Sequence, residues 1–405
     1  MDRNKRKPQL LAPAGNLEKL RWAVRYGADA VYFGAEFGSL RSFAGNFSFD
    51  DASAGLQFLH ERGKLGYVTL NIYPFSEEFE RIGHIAGTLD EMGADAFIVS
   101  DIGVMAGLNK LGLKASIHVS TQANVTSYQA ALAYKQFGAS RVNLARELSL
   151  DRILEIQNHC KGRIETEVFI HGSVCFSYSG RCAISDYLTG YHANQGQCKH
   201  PCRWKYALVE EKRPGEFMPV FEDERGLYLF NSKELALFEY APALAQAGVD
   251  SFKIEGRMKT IHYIAAIVSF YRQIIDGREF TREEGLELLR KVPNRGYSAG
   301  FVKGAIGPED YSIETGASVG DSIFVGNVLE EQAEGKAVLE VRNKIHAGDK
   351  LEALSPDGSI KEVTMPSPLV TKRSGQVDFV NNTQFVILDK PLPAYSILRR
   401  IEKQP

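Results

Sequence analysis

Four of the five cysteines in this 405-residue chain crowd into one stretch, as Cys175, Cys182, Cys198 and Cys202, with the spacing C-x6-C-x15-C-x3-C. Thiolates bind zinc or iron, and four of them complete either a tetrahedral zinc or an iron–sulfur cluster. A zinc ribbon favours two C-x2-C knuckles, and none is present. Loose spacing over a long loop suits a cuboidal cluster better, with zinc as the alternative. Four unrelated core cysteines would be the plain reading, but a polar, glycine-rich stretch is not a core pattern. Cys160, in LDRILEIQNHCKG, reads as helix packing. The competing chemistry is nucleophilic. A protease needs a nucleophile oriented by a base, and Cys175 with His171 is the one tempting pair. A zinc peptidase needs an HExxH-type helix, which the chain lacks.

Something must hold these groups. Residues 8 to 277 alternate short apolar runs with amphipathic stretches. The runs are PQLLAPAG, ADAVYFGA, KLGYVTLNIY, ADAFIVSD, KASIHVST, SRVNLARE, ETEVFIHG and DSFKIEGR. Their length and β-branched content read as buried parallel strands. Helical patterns such as NLEKLRWAVRYG lie between them, with Asn16 and Ser76 as expected N-caps and Gly27 and Gly93 as stops. Eight alternations predict an α/β fold, a (β/α)8 TIM-like barrel, with a doubly wound sheet as the rival. A long insertion from Cys175 to about Ser232 interrupts the rhythm and ends in a hairpin turning near Glu224–Gly226. From about Ser318 short strands separated by Gly, Pro and Asp predict a small all-β barrel. The expected domains are residues 1–315, the barrel with its Cys-rich insertion, and residues 316–405.

In such a barrel the C-terminal strand ends carry the chemistry. There stand Arg41, Asn71, Asp101, Gln122, Asn124, Arg146, Glu147, His171, Glu255, Arg257 and Lys259. His171 and Glu255 are the candidate acid–base groups, since an imidazole titrates near neutrality and a carboxylate can accept a proton. A cluster-shell or core role for His171 is equally open. The loop KHPCRWKY mixes basic and aromatic side chains, the kind that stack on splayed bases. It and the basic start NKRKP are the expected RNA-facing elements, although Trp204 and Tyr206 equally suit packing beneath the loop.

Composition narrows the class. With 44% hydrophobic and 24% charged residues the chain reads as an ordinary globular protein. A formal net charge of -2 argues against a chain-wide electrostatic grip on nucleic acid. No long apolar run or secretory pattern is visible, so a cytoplasmic, non-membrane protein is expected. Nothing in the sequence fixes an oligomeric state.

ETEVFIHGSVCFSYSGRCAIS resembles the signature of the collagenase-like peptidase family U32, through Glu167, Phe169, Gly172, Ser173, Cys175, Gly180, Cys182 and Ser185. LLAPAGNLEKLRWAVRYGADAVYFG, HVSTQAN, RELSL, NQGQCKHPCRWKY, FEDERGLYLFNSKEL, FKIEGRMK and NRGYSAGF make it similar to one branch, the prephenate-dependent tRNA uridine 5-hydroxylases. The resemblance implies a 4Fe–4S cluster on the four cysteines and O2-independent hydroxylation of the wobble uridine of tRNA, with prephenate as co-substrate. Prephenate is a dianion. Arg41, Arg257 and Lys259 are then the preferred anion binders, with Gln122 and Asn124 as further substrate contacts. Peptidase activity ranks second, and an RNA-binding protein with a structural cluster third.

Overall fold

The structure is a computed structural model describing residues 7–39, 46–175, 177–178, 182–203, 208–209, 217–218, 221–223, 226–228, 232–311, 319–329, 336–371, 375–382, 384–388 and 391–402. Its first seven strands are β1 (Gln9–Pro13), β2 (Ala30–Gly34), β3 (Leu65–Leu70), β4 (Ala96–Val99), β5 (Ser116–Val119), β6 (Ala139–Asn143) and β7 (Glu165–Gly172). Short strands follow within the insertion: β8 (Leu208–Val209) pairs with β9 (Phe217–Met218), and β10 (Phe221–Asp223) with β11 (Gly226–Tyr228). The β10–β11 pair is the expected hairpin; residues 224–225 at its turn lie outside the described residues. Then come β12 (Glu234–Ala236) and β13 (Ser251–Ile254).

Each of β1 to β7 pairs in parallel with the next, and β13 pairs in parallel with both β7 and β1. The ring therefore closes with eight strands, and the doubly wound alternative is excluded. β12 runs antiparallel on the end of β7, setting Ala236 opposite His171, and β14 (Tyr297–Ser298) adds to β12.

Helices α1 (Leu17–Arg25), α2 (Phe49–His60), α3 (Phe79–Glu91), α4 (Ile102–Leu111), α5 (Tyr128–Gln136) and α6 (Leu150–Cys160) alternate with the strands. α7 (Ile184–Thr189) lies in the insertion, and α8 (Ala241–Ala247) precedes β13. The caps are local chemistry: Asn16 accepts the Lys19 N–H at 2.9 Å and Asp101 the Val104 N–H at 2.9 Å. At α3 the cap differs from expectation. Ser76 opens a short 3-10 turn, Ser76–Glu78, and the Glu78 carboxylate reaches back to the Phe75 N–H at 2.7 Å, so the helix starts at Phe79.

The chain forms two compact units. One comprises residues 1–24, 28–259 and 295–318; the other comprises 25–27, 260–294 and 319–405. The second holds α9 (Ile261–Ile275), α10 (Arg282–Arg290) and strands β15 (Ser322–Val328), β16 (Ala337–Val341), β17 (Ile345–His346), β18 (Lys350–Leu354), β19 (Ile360–Thr364), β20 (Leu369–Thr371), β21 (Gly375–Val377), β22 (Phe379–Val380), β23 (Phe385–Leu388) and β24 (Ile397–Ile401). Eight of these strands form an antiparallel sheet in the order β19-β18-β24-β15-β16-β23-β20-β21, curled around an apolar core that includes Val325, Leu339, Leu369 and Leu398.

Candidate active site

One side of the barrel's interior is charged, while Leu11, Ala30, Tyr32, Tyr67, Ala96 and Ile98 keep the other apolar. Inward positions recur every second residue along a strand. Here they place Arg141 and Asn143 of β6, Glu165 and Glu167 of β7, and Ser251 and Lys253 of β13 in one hydrogen-bonded network. Glu167 sits at its centre. Its carboxylate accepts from Lys253 at 3.0 Å, Asn143 at 3.0 Å, Ser251 at 2.9 Å and Arg141 at 3.4 Å. Arg141 also donates twice to Glu165, at 2.9 and 2.7 Å. Burial alone would raise the Glu167 carboxyl, but Lys253 and Arg141 outweigh it and hold the group down at about 2. Burial lowers the pKa of Lys253, and Glu167 opposes that shift. Nearby His118 is pushed down to about 3 by burial and by Arg141, so its ring is neutral at ordinary pH.

Above this network, at the C-terminal strand ends, lies a cavity lined by Ser39, Asn71, Gln122, Arg146, Lys253, Glu255 and Arg257, among others. Lys253 forms part of its floor, with its ammonium 4.6 Å from the Tyr32 ring centre. The Arg257 guanidinium donates to Ser39 at 2.5 Å, Thr69 at 3.3 Å and Asn46 at 2.7 Å. Gly34 makes room for it: a Cβ there would stand 2.5 Å from Arg257 Nη1. Gly172, at φ +115°, lets the ends of β7 and β13 touch, because a Cβ would meet the Glu255 carbonyl oxygen at 2.5 Å.

The remaining sequence candidates divide. Gln122 lines the cavity, and its carbonyl accepts from the Tyr73 hydroxyl at 2.6 Å. Asn124 closes the turn Thr121–Ala123 in the left-handed region, with a buried Oδ1 that has no hydrogen-bond partner among the described residues. Lys259 is paired within the protein. Its ammonium is 2.5 Å from the fully buried Glu234, which neutralises it. His171 is fully buried, and burial followed by Lys259 presses it down to about 3. Its imidazole is therefore neutral at ordinary pH. Arg41 lies outside the described residues.

The Cys-rich segment folds beside this mouth. The Tyr73 N–H donates to the Asn194 carbonyl at 3.2 Å, Gln195 reaches Glu78 at 3.4 Å, and the His192 ring meets Phe75 edge-on at 6.3 Å. Asp186 fixes the turn by accepting from Ala193 at 3.2 Å and bonding His192 at 2.5 Å. No disulfide joins the cysteines; Cys175 is exposed and the other three of the cluster are half-buried. Among the described residues no three His, Cys, Asp or Glu side chains stand close enough to share one ion. The thiols therefore fit a four-thiolate group by donor type and by their common loop, not by present spacing. Cys175 and His171 sit at different depths, which weakens them as a nucleophile–base pair.

Two expectations about RNA fall at opposite ends of the barrel. Lys199 lies 4.4 Å from the Tyr191 ring centre on the mouth side, while Trp204 and Tyr206 lie outside the described residues. Lys7, the described lysine of the basic start, lines a cavity with Lys161 and Asp250 beneath the strands, away from the mouth. What the apolar-run reading missed was the interior network. Its signal is nonetheless present: charged or polar residues at every second place in SRVN, ETEVF and SFKIE.

A closed (β/α)8 barrel with a charged mouth and a cysteine-bearing loop beside it is the architecture of a barrel-type enzyme site. The family model described as Peptidase family U32 matches residues 15–311, and that of the Peptidase family U32 C-terminal domain matches residues 321–399. The chain belongs to peptidase family U32. It is 36% identical over 398 residues to the tRNA hydroxylation protein P of Escherichia coli, covering 87% of each chain. It is 33% identical to the protein of that name from Haemophilus influenzae, covering 95% of this chain and 94% of the relative. A collagenase of Porphyromonas gingivalis is 30% identical, with 86% of each chain covered.

Proposed function

We propose that this chain is a cytoplasmic tRNA-modifying enzyme that hydroxylates C5 of the wobble uridine without O2, with prephenate supplying the hydroxyl oxygen. The observation that carries the reading is chain-long identity to proteins named for tRNA hydroxylation, in a fold whose mouth cavity carries Arg257 and Arg146 beside the carboxylate Glu255, over a floor where Lys253 is paired with Glu167. Two guanidinium groups suit an organic acid with two carboxylates. The exchange balances without a further oxidant. The uridine C5–H bond is replaced by C5–OH, and the co-substrate, losing its C–O bond, takes up the hydrogen and the electron pair.

The roles follow from the geometry. Arg257, held by Ser39, Thr69 and Asn46, orients a carboxylate. Gln122 and Asn71 offer amide groups to the reacting substrate. Glu255 is the carboxylate of the cavity that can accept the C5 proton. Exposed Tyr178, Tyr187 and Tyr191 on the insertion, and exposed Phe75 against His192 of the same segment, offer faces on which the unpaired bases of an RNA loop can stack. Cys175, Cys182, Cys198 and Cys202 would hold the iron–sulfur cluster, which when bound supplies electron transfer or Lewis acidity.

The test is complementation. A strain lacking its tRNA uridine hydroxylases should regain 5-hydroxyuridine, read by nucleoside mass spectrometry, when it expresses this chain. Unmodified tRNA at adequate expression and prephenate supply would reject the proposal. Gelatin cleavage by the pure protein, lost in Cys175→Ser, would favour the peptidase reading instead.

A further inference from the structure

The mouth cavity holds a second guanidinium that the anion-binding set from sequence left out. Arg146 follows β6 and lines the same cavity as Arg257. Its guanidinium carbon stands 4.2 Å from the Phe169 ring centre of β7, and Nη1 donates to the Ser173 carbonyl at a long 3.4 Å. Among the described residues no carboxylate pairs with it. A ring face attracts the charge but uses none of the five N–H donors, so most of the donor edge is available to a ligand. Lys259, by contrast, is paired with Glu234 at 2.5 Å.

The two guanidinium groups are anchored apart, although Arg257 follows β13, which pairs with β7. Arg257 is anchored on the β2–β3 flank, through Ser39 and Thr69. Arg146 lies against β7, next to β6 from which it springs. In a closed ring of eight strands ordered β1 to β7 and then β13, β2 stands across from β6 and β3 across from β7. The guanidinium groups thus approach one cavity from opposite walls. Between them Lys253 sits in the floor with its charge balanced by Glu167 at 3.0 Å. Two opposed forks matched to carboxylates, over a neutralised floor, select for two acidic groups on one small molecule rather than one.

We propose that Arg146 is the second arm of a dicarboxylate clamp, taking one carboxylate of the co-substrate while Arg257 takes the other. This rests on the proposed function above for the identity of the acid, and it assigns to Arg146 the preference for a dianion over a monoanion. A charge-assisted bond contributes about 1.5–3 kcal/mol, which at about 1.4 kcal/mol per tenfold is roughly 10- to 150-fold in affinity.

Calorimetric titration of the full-length protein with prephenate, and with phenylpyruvate as the one-carboxylate analogue, tests it. The wild type should bind prephenate at least tenfold more tightly. Arg146→Gln should lose roughly 10- to 150-fold for prephenate and far less for phenylpyruvate, so that the preference collapses. Arg146→Lys should restore part of it, because an ammonium keeps the charge but not the fork. Melting curves of both variants establish that they fold. Equal losses for both acids would mark Arg146 as merely structural and overturn the clamp. So would an unchanged preference. Prephenate binding that survives in the wild type but is indifferent to Arg146 spares the proposed function; a wild type that binds neither acid overturns the prephenate reading and the clamp together.

Discussion

Replacing Glu167 by Gln removes one negative charge from the middle of the barrel and leaves its shape. Lys253, 3.0 Å away and 4% exposed, then has a buried ammonium without its counter-charge. Arg141 suffers less, because Glu165 still holds it at 2.7 Å. Breaking one side of a buried pair costs about 3–5 kcal/mol. The pKa gives a second estimate: moving a carboxyl from the ordinary 4.5 to about 2 is worth about 3 kcal/mol of stability. Because the folded pKa is depressed, that contribution is fully present above about pH 4.5. It falls away as the pH drops toward 2, where the folded carboxylate takes up its proton. Urea unfolding at pH 7 should therefore show Glu167→Gln less stable by about 3–5 kcal/mol. The deficit should shrink when the comparison is repeated below pH 4. A double variant, Glu167→Leu with Lys253→Met, removes both charges and should recover most of the stability. It should not recover hydroxylation, since Lys253 floors the mouth cavity proposed to take the co-substrate. A loss below about 1 kcal/mol in Glu167→Gln, or a double variant no more stable than the single, would refute the reasoning that this pair is buried and mutually dependent.

The mouth and the loop give further expectations. Arg257→Ala should weaken prephenate binding by roughly 10- to 150-fold, with partial rescue by excess prephenate and poor rescue by Arg257→Lys, measured by 5-hydroxyuridine formation against prephenate concentration. Gly34→Ala should mimic it without touching substrate, since its methyl group would displace the guanidinium 2.5 Å away; normal kinetics would show that Arg257 is not needed where it stands. Protein purified without oxygen should carry about four iron and four sulfide per chain, and Cys182→Ser or Cys198→Ser should lose them, by elemental analysis and electron paramagnetic resonance. Stoichiometric zinc with no iron after iron-replete expression would remove the cluster from the account.

Much of the frame was legible because parallel barrel strands are buried on both faces and announce themselves as apolar runs. All eight runs became strands, and Gly27 and Gly93 ended helices in the left-handed region, at φ 104° and 91°. Depth was harder to read. His171 and Cys175 are four residues apart, yet one is fully buried and the other exposed, because β7 ends between them at Gly172. Pairing was harder still. The partner of Lys259, Glu234 of β12, stands 25 residues away in the chain, and nothing in the sequence links the two. Arg257 stands at a strand end, as its place in FKIEGRMK suggested, but its partners Ser39 and Asn46 come from the loop after β2, which periodicity says nothing about. Ser76 lost its capping place to a turn closed by Glu78. The interior charges were visible as alternation in the sequence, but a run such as ETEVFIHG reads first as apolar, and only ring closure shows that Glu165 and Glu167 turn inward to meet Arg141 and Lys253.

The most direct measurement is a reconstituted reaction under anaerobic conditions, with iron-loaded protein, unmodified tRNA and prephenate carrying 18O in its ring hydroxyl. The product nucleoside should be 5-hydroxyuridine at the wobble position, heavier by the isotope. Product that forms without the label, or no product from an iron-loaded, folded protein, would contradict the account.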